Sequence, residues 1–143
     1  LASLCGLGTA LDGMKGTAPG AAAGEALEAF SAAYSQVSED GSGNFIFAPQ
    51  AYDAVMLMAI SAAANGVTGP EIASGLVAAS SGGEKCIGVA CIALAADGVD
   101  VDYVGASGEI ELNEAGDPTA ATYDIWTTEG DVNPVLKSVD FGS

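Results

Sequence analysis

Three cysteines, nineteen acidic residues and no histidine set the chemistry open to this 143-residue chain. Cys86 and Cys91 stand in a C-x4-C spacing, and Cys5 lies alone near the N-terminus. A zinc site would need carboxylates to complete three thiolates, and a single cysteine pair at this spacing does not suggest one. A local disulfide between Cys86 and Cys91 is expected and would imply an oxidising compartment; two buried free thiols are the alternative. Cys5 would then pair with a cysteine in an upstream segment or remain a buried thiol. Gly105-Ala106-Ser107-Gly108-Glu109 approximates a nucleophile elbow, yet glutamate breaks the G-x-S-x-G frame and no histidine exists to activate the serine. Gly6-Leu7-Gly8 has leucine at position 11 where a dinucleotide fingerprint needs glycine. Asp97, Asp100 and Asp102, with the turn from Asn113 to Asp117, gather oxygens without the ligand spacing of an EF-hand loop. They read as solvated charge in a very acidic chain. Nothing singles out a carboxylate pair for acid/base work, so no catalytic residue, no metal site, no cofactor and no enzyme is expected.

The charge narrows the partners. Nineteen acidic against three basic residues, Lys15, Lys85 and Lys137, give a formal charge of -16. Such a chain repels a phosphate backbone, so no nucleic-acid partner is expected, and it has no polybasic segment for an anionic membrane surface. No continuous apolar run of about 20 residues exists; the longest, Ala54 to Ala64, stops at Asn65-Gly66. The N-terminus, Leu1 to Cys5, carries neither an initiator Met nor a basic leader, so a longer precursor is expected.

These residues must be positioned by elements that the patterning outlines. Half the chain is hydrophobic but only 6% aromatic, which points to a folded domain with a core of small residues. Leu27, Phe30, Tyr34 and Val37 recur at helical spacing within Gly20 to Val37, the apolar face of a helix that should pack on a sheet. Ser38 to Gly43 reads as a loop, and Asn44 to Phe47 as a short strand or an extended lead into the next helix. From Pro49 or Gln50 to Ala64 a helix is apolar around most of its circumference and should be buried, with Tyr52 as packing and Asp53 as a first-turn acid favoured by the helix dipole. Thr68-Gly69-Pro70-Glu71 has capping-box spacing and opens a third helix through about Ala79. A short helix between Cys91 and Ala96 closes at Asp97-Gly98, and strands are expected at Val99 to Tyr103, Glu109 to Leu112 and Ala121 to Thr128. The fold class is α/β or α+β.

Three stretches in order carry a more specific signal. They are Gly16-Thr17-Ala18-Pro19; Phe47-Ala48-Pro49-Gln50-Ala51-Tyr52-Asp53-Ala54-Val55; and Tyr103-Val104-Gly105-Ala106-Ser107-Gly108 followed by Asn113-Glu114-Ala115-Gly116-Asp117-Pro118. Together they resemble the C-terminal portion of the type I periplasmic solute-binding proteins of branched-chain amino acid ABC transporters, the leucine/isoleucine/valine-binding family. Tyr123 to Trp126 is similar to that family's late strand, and Cys86 with Cys91 to a cysteine pair in some members.

The resemblance implies an α/β fold of two lobes that close on a ligand in the cleft between them. It places residues 1–17 in the second lobe, 18–123 in the first and 124–143 in the second again, with the rest of both lobes outside this chain. It implies a periplasmic or other extracytoplasmic location, a small ligand such as an amino acid, and an ABC permease as partner. A sensing receptor of the same fold is the alternative function. Phe47 matches a position whose aromatic side chain lines the ligand pocket in family members, against the plainer reading of a core phenylalanine at a helix start. A chain missing part of its lobes would leave apolar helix faces open, so either it is cut from a longer precursor, the favoured reading, or the fragment self-associates through those faces.

Overall fold

The computed structural model describes residues 8–38, 46–130 and 132–142. After a 3₁₀ turn at Gly8–Leu11, strand β1 (Lys15–Pro19) leads to helices α1 (Glu25–Val37), α2 (Ala48–Asn65) and α3 (Gly69–Ala79). Strand β2 (Glu84–Ile87), helix α4 (Ala90–Ala96) and strands β3 (Val101–Gly105) and β4 (Gly108–Glu109) follow. The chain closes with β5 (Ala121–Thr127) and β6 (Val135–Phe141).

The strands form two separate three-stranded sheets. In one, β2 and β3 run parallel through α4, and β4 turns back antiparallel on β3. In the other, β5 lies between β1 and β6 with every pair antiparallel, and a register shift falls at Ile125/Trp126. The first sheet supports the core: Met56, Leu57 and Ile60 of α2 pack with Ala79, Cys91, Ala95, Val101 and Tyr103. The residues of α2 in that set recur at three- and four-residue spacing, one stripe of the helix. Its opposite side stays open, with Val55 and Met58 exposed. The second sheet leaves Val135, Leu136, Val139 and Phe141 of β6 in solvent.

Most helices fall where the patterning puts them, with corrections at the ends. α1 begins at Glu25 rather than Gly20, because the backbone of residues 20–22 is bonded elsewhere: Gly20 N–H donates to Thr122 O (2.8 Å) and Ala22 N–H to Ser107 O (3.1 Å). Phe30 is buried and stacks near Tyr52, with ring centroids 5.3 Å apart, but Val37 is exposed at the last turn. The helix touches both α2, through that ring contact, and β3. Ile46 and Phe47 form a turn; the remainder of the Ser38 to Phe47 reading lies largely outside the described residues. Three strands escape the alternation rule. β1 is rich in small residues, β2 is only four residues long, and all of β6 is exposed, so none shows clean two-residue alternation of burial. Conversely, of the expected strand Glu109 to Leu112 only Glu109 lies in a strand, the two-residue β4, and Leu112 makes a single bridge to Pro118.

The start of α3 follows the capping-box spacing. Thr68 donates to Glu71 Oε2 twice, through its N–H (3.0 Å) and its hydroxyl (2.7 Å). These bonds favour the carboxylate and hold its pKa below the ordinary 4.5. A depressed folded-state pKa means that the contribution to stability is complete above the unfolded value and is lost as pH falls through the folded one. An NMR titration is therefore expected to find Glu71 with a midpoint below 4.5. Thr68→Ala should move it part-way back, since the backbone bond survives. A midpoint unmoved by that substitution would remove the hydroxyl from the cap.

Candidate functional site

Asp53 is a carboxylate in the apolar stripe of α2, at the spacing shared by Met56, Leu57 and Ile60. It is 2% exposed. A buried carboxylate must be paired or densely hydrogen-bonded, and this one accepts four bonds. Tyr103 Oη donates to Oδ1 at 2.8 Å and Ala106 N–H to the same oxygen at 2.7 Å. Ser107 donates to Oδ2 through its N–H at 2.8 Å and its hydroxyl at 2.6 Å. The acid is therefore no first-turn dipole partner, as its sequence position suggests, but the acceptor that shapes the β3–β4 turn. Burial in the first place, and then the Asp53 charge, push the Tyr103 hydroxyl well above its ordinary value, so it remains a donor. Gly105 is required at the turn, since a Cβ there would lie 2.6 Å from Asp53 Oδ2 and 2.5 Å from Ile110 Cδ1. Ser107 belongs to this scaffold, its hydroxyl and its N–H both given to Asp53 Oδ2.

A cavity of about 660 Å³ opens next to this network, between α2, the β4 turn and the ends of β5 and β6. Ala54, Leu57 and Met58 of α2 line it together with Ile110, Tyr123 and Phe141, and its polar lining comes from Gln50, Ser107 and Thr122 with the acids Asp53, Glu109 and Asp140. Its size suits a small molecule or a packed side-chain cluster.

Phe47 lies outside that lining. It precedes α2 with φ at 64° and is 59% exposed, so it is not packed as a core phenylalanine is. A bulky non-glycine residue in the left-handed region is strained by roughly 1–3 kcal/mol, and such strain concentrates at ligand sites and switches. Cys86 and Cys91 are joined in a disulfide that ties β2 to the start of α4, with Cys91 wholly buried. Cys5 lies outside the described residues. Among the described residues no group of three His, Cys, Asp or Glu side chains could hold a metal ion, and no helix is long and apolar enough to cross a membrane.

The family model for the receptor family ligand binding region matches residues 10–131. The chain belongs to this family. Its fold is similar to that of the leucine-binding protein LivK of Thermotoga maritima, with a TM-score of 0.57 and 19% identity. The likeness covers 91% of this chain and 31% of LivK, so the chain spans just under a third of that protein's length. No curated protein sequence matches it. The α/β architecture is thus that of the type I periplasmic-binding fold, present in part, and the receptor family is one of ligand-binding regions rather than of catalytic domains.

Patterning found the disulfide pair but missed the network around Asp53. The available signal was an acid on the core-facing stripe of an otherwise apolar helix.

Proposed function

We propose that this chain is part of a two-lobed extracytoplasmic receptor that captures a small polar molecule, an amino acid or an analogue, and hands it to an ABC permease. The carrying observation is the family match over residues 10–131. The fold likeness to a leucine-binding protein adds support. In this reading residues 1–17 and 124–143 belong to one lobe and 18–123 to the other. The two boundaries fall side by side, since Ala18 is paired with Asp124 in the β1–β5 ladder. Two crossings that bend together need such an arrangement. The Cys86–Cys91 disulfide agrees with an oxidising, extracytoplasmic compartment. The exposed apolar residues of α2 and β6 favour self-association of the isolated chain.

A sensing receptor is the second reading, favoured by the family's own description as a receptor ligand-binding region. A neighbouring permease gene speaks for transport, and a fused signalling domain for sensing.

The test is a thermal-shift screen of the full-length parent against amino acids, amides and small carboxylates. A ligand at about 100 times its Kd stabilises the native state by about 2.7 kcal/mol. Phe47 is the side chain proposed to wall the ligand. Phe47→Ala is expected to weaken the binding of whichever compound shifts the melt by about tenfold, with little change in the unliganded Tm. Affinity left intact would take Phe47 out of the site, and no shift with any compound would count against the amino-acid reading.

A further inference from the structure

The cavity beside the Asp53 network is bounded on several sides by this chain itself. Leu57 and Met58 come from α2, Leu76 from α3, Ile110 and Leu112 from the segment after β4, and Phe141 from the end of β6. Met58 and Phe141 are also exposed, so a small molecule can reach it from solvent. At about 660 Å³ it has the size of a small-ligand site, and its concave form separates it from the exposed apolar residues elsewhere on β6.

Its polar lining is already engaged within the protein. Gln50 gives Nε2 to Gly20 O at 2.6 Å, and its Oε1 is buried. The Ser107 hydroxyl is given to Asp53 and the Thr122 hydroxyl to Asp140, at 2.6 and 2.8 Å. Glu109 is paired with Lys85, whereas Asp53 and Asp140 are held by neutral donors, and no lysine lines the cavity. Water that enters meets mostly apolar walls, which supply few of the about three hydrogen-bond partners that a well-held water makes. An anion meets two carboxylates with no cation beside them, which costs it both desolvation and repulsion. The carboxylate of an amino acid is mismatched here for that reason, and Phe47, the proposed wall of the amino-acid pocket, takes no part in the lining.

We propose that this cavity is a second binding site, separate from the amino-acid pocket, which takes one uncharged and largely apolar molecule of aromatic or branched aliphatic build. Such an occupant touches α2 and β6 at once and displaces poorly bonded water from both. The site does not depend on the two-lobe reading.

A matched pair of fluorescent probes tests it: N-phenyl-1-naphthylamine, which is uncharged, and 8-anilinonaphthalene-1-sulfonate, which carries the same rings with one negative charge. The 143-residue chain is expected to bind the uncharged probe at a single saturable site, at least about tenfold more tightly than the sulfonate. Equal affinity for the two, or no saturable binding of the uncharged probe, would overturn the proposal. Ala54 is exposed and lines the cavity, so Ala54→Trp fills it from a position where the helix tolerates a large side chain. It should weaken the uncharged probe by about tenfold or more, while Val55→Trp, exposed on the same helix but outside the lining, should leave it unchanged. Met58→Glu gives a further arm, with a loss expected from the charge it brings to the cavity. Equal losses for Ala54→Trp and Val55→Trp would mean that the probe adheres to exposed apolar surface in general. Affinity that falls as the chain concentration rises would mean that a second copy fills the cavity; either result overturns the proposal. No amino acid enters these measurements, so their failure and that of the ligand screen are told apart.

Discussion

Asp53→Ala is expected to be the most damaging single substitution in the chain, costing about 4 kcal/mol. The carboxylate satisfies Tyr103 Oη, the Ala106 and Ser107 N–H groups and the Ser107 hydroxyl, and alanine satisfies none of them. Each buried donor left without a partner costs about 1–3 kcal/mol, but neighbours in one network do not add fully, since the loosened turn admits water. A total near 4 kcal/mol approaches the whole stability of a marginal domain, commonly about 5–15 kcal/mol. Tyr103→Phe is the graded control: it removes one donor, leaves the other three bonds in place, and is expected to cost about 1 kcal/mol. Urea unfolding followed by the Trp126 fluorescence measures both. An Asp53→Ala chain within about 1 kcal/mol of the parent sequence would show that the four bonds do not hold the β3–β4 turn.

The same residue shows where sequence reading stops. Helical spacing locates α2 to within one or two residues at its start, Ala48 against Pro49 or Gln50, and one at its end, Asn65 against Ala64, and the S/T-x-x-E spacing locates α3, because both depend on contacts within a few residues. Asp53 partners residues fifty or more positions away, and no local rule reveals an acceptor for donors at 103 to 107. Its helical phase did contain the warning: positions 53, 56, 57 and 60 share a stripe, and an acid on a buried stripe requires donors from elsewhere. β1, β2 and β6 were illegible for a related reason. A strand that is small, short or exposed on both faces carries no two-residue alternation, and pairing alone defines it. Phe47 was legible as a position through family resemblance, but its left-handed backbone and its exposure were not. Two of the three quoted stretches contain the turn at residues 105–108 and the helix that grips it, and the Asp53 bonds hold these two segments to each other.

The Cys86–Cys91 disulfide should supply the second large effect. It closes a short loop, with a sequence separation of 5, and links β2 to α4. Loop closure of this length removes about 2 kcal/mol of chain entropy from the unfolded state, less than a long loop would. Packing adds to the effect of breaking it. Cys91 is fully buried against the cluster of Ile60, Ala95 and Tyr103, so a Cys91→Ser hydroxyl would enter an apolar site. α4 has only seven residues and no side-chain cap, too short to persist by itself. Cys86→Ser is therefore expected to cost about 2 kcal/mol and Cys91→Ser about 3 kcal/mol or more, the difference measuring burial rather than the covalent link. Non-reducing peptide mapping should recover the two cysteines linked, and alkylation before reduction should leave both unmodified. If both alkylate without reductant, the link is absent in solution and the compartment argument goes with it. Equal losses for the two serine variants would mean instead that Cys91 acts through the bond alone. Because Cys86 is paired in register with Tyr103, whose hydroxyl donates to Asp53, a reduced chain should also exchange faster at Ala106 and Ser107. The covalent tie and the buried carboxylate then act on one element, β3, from its two sides.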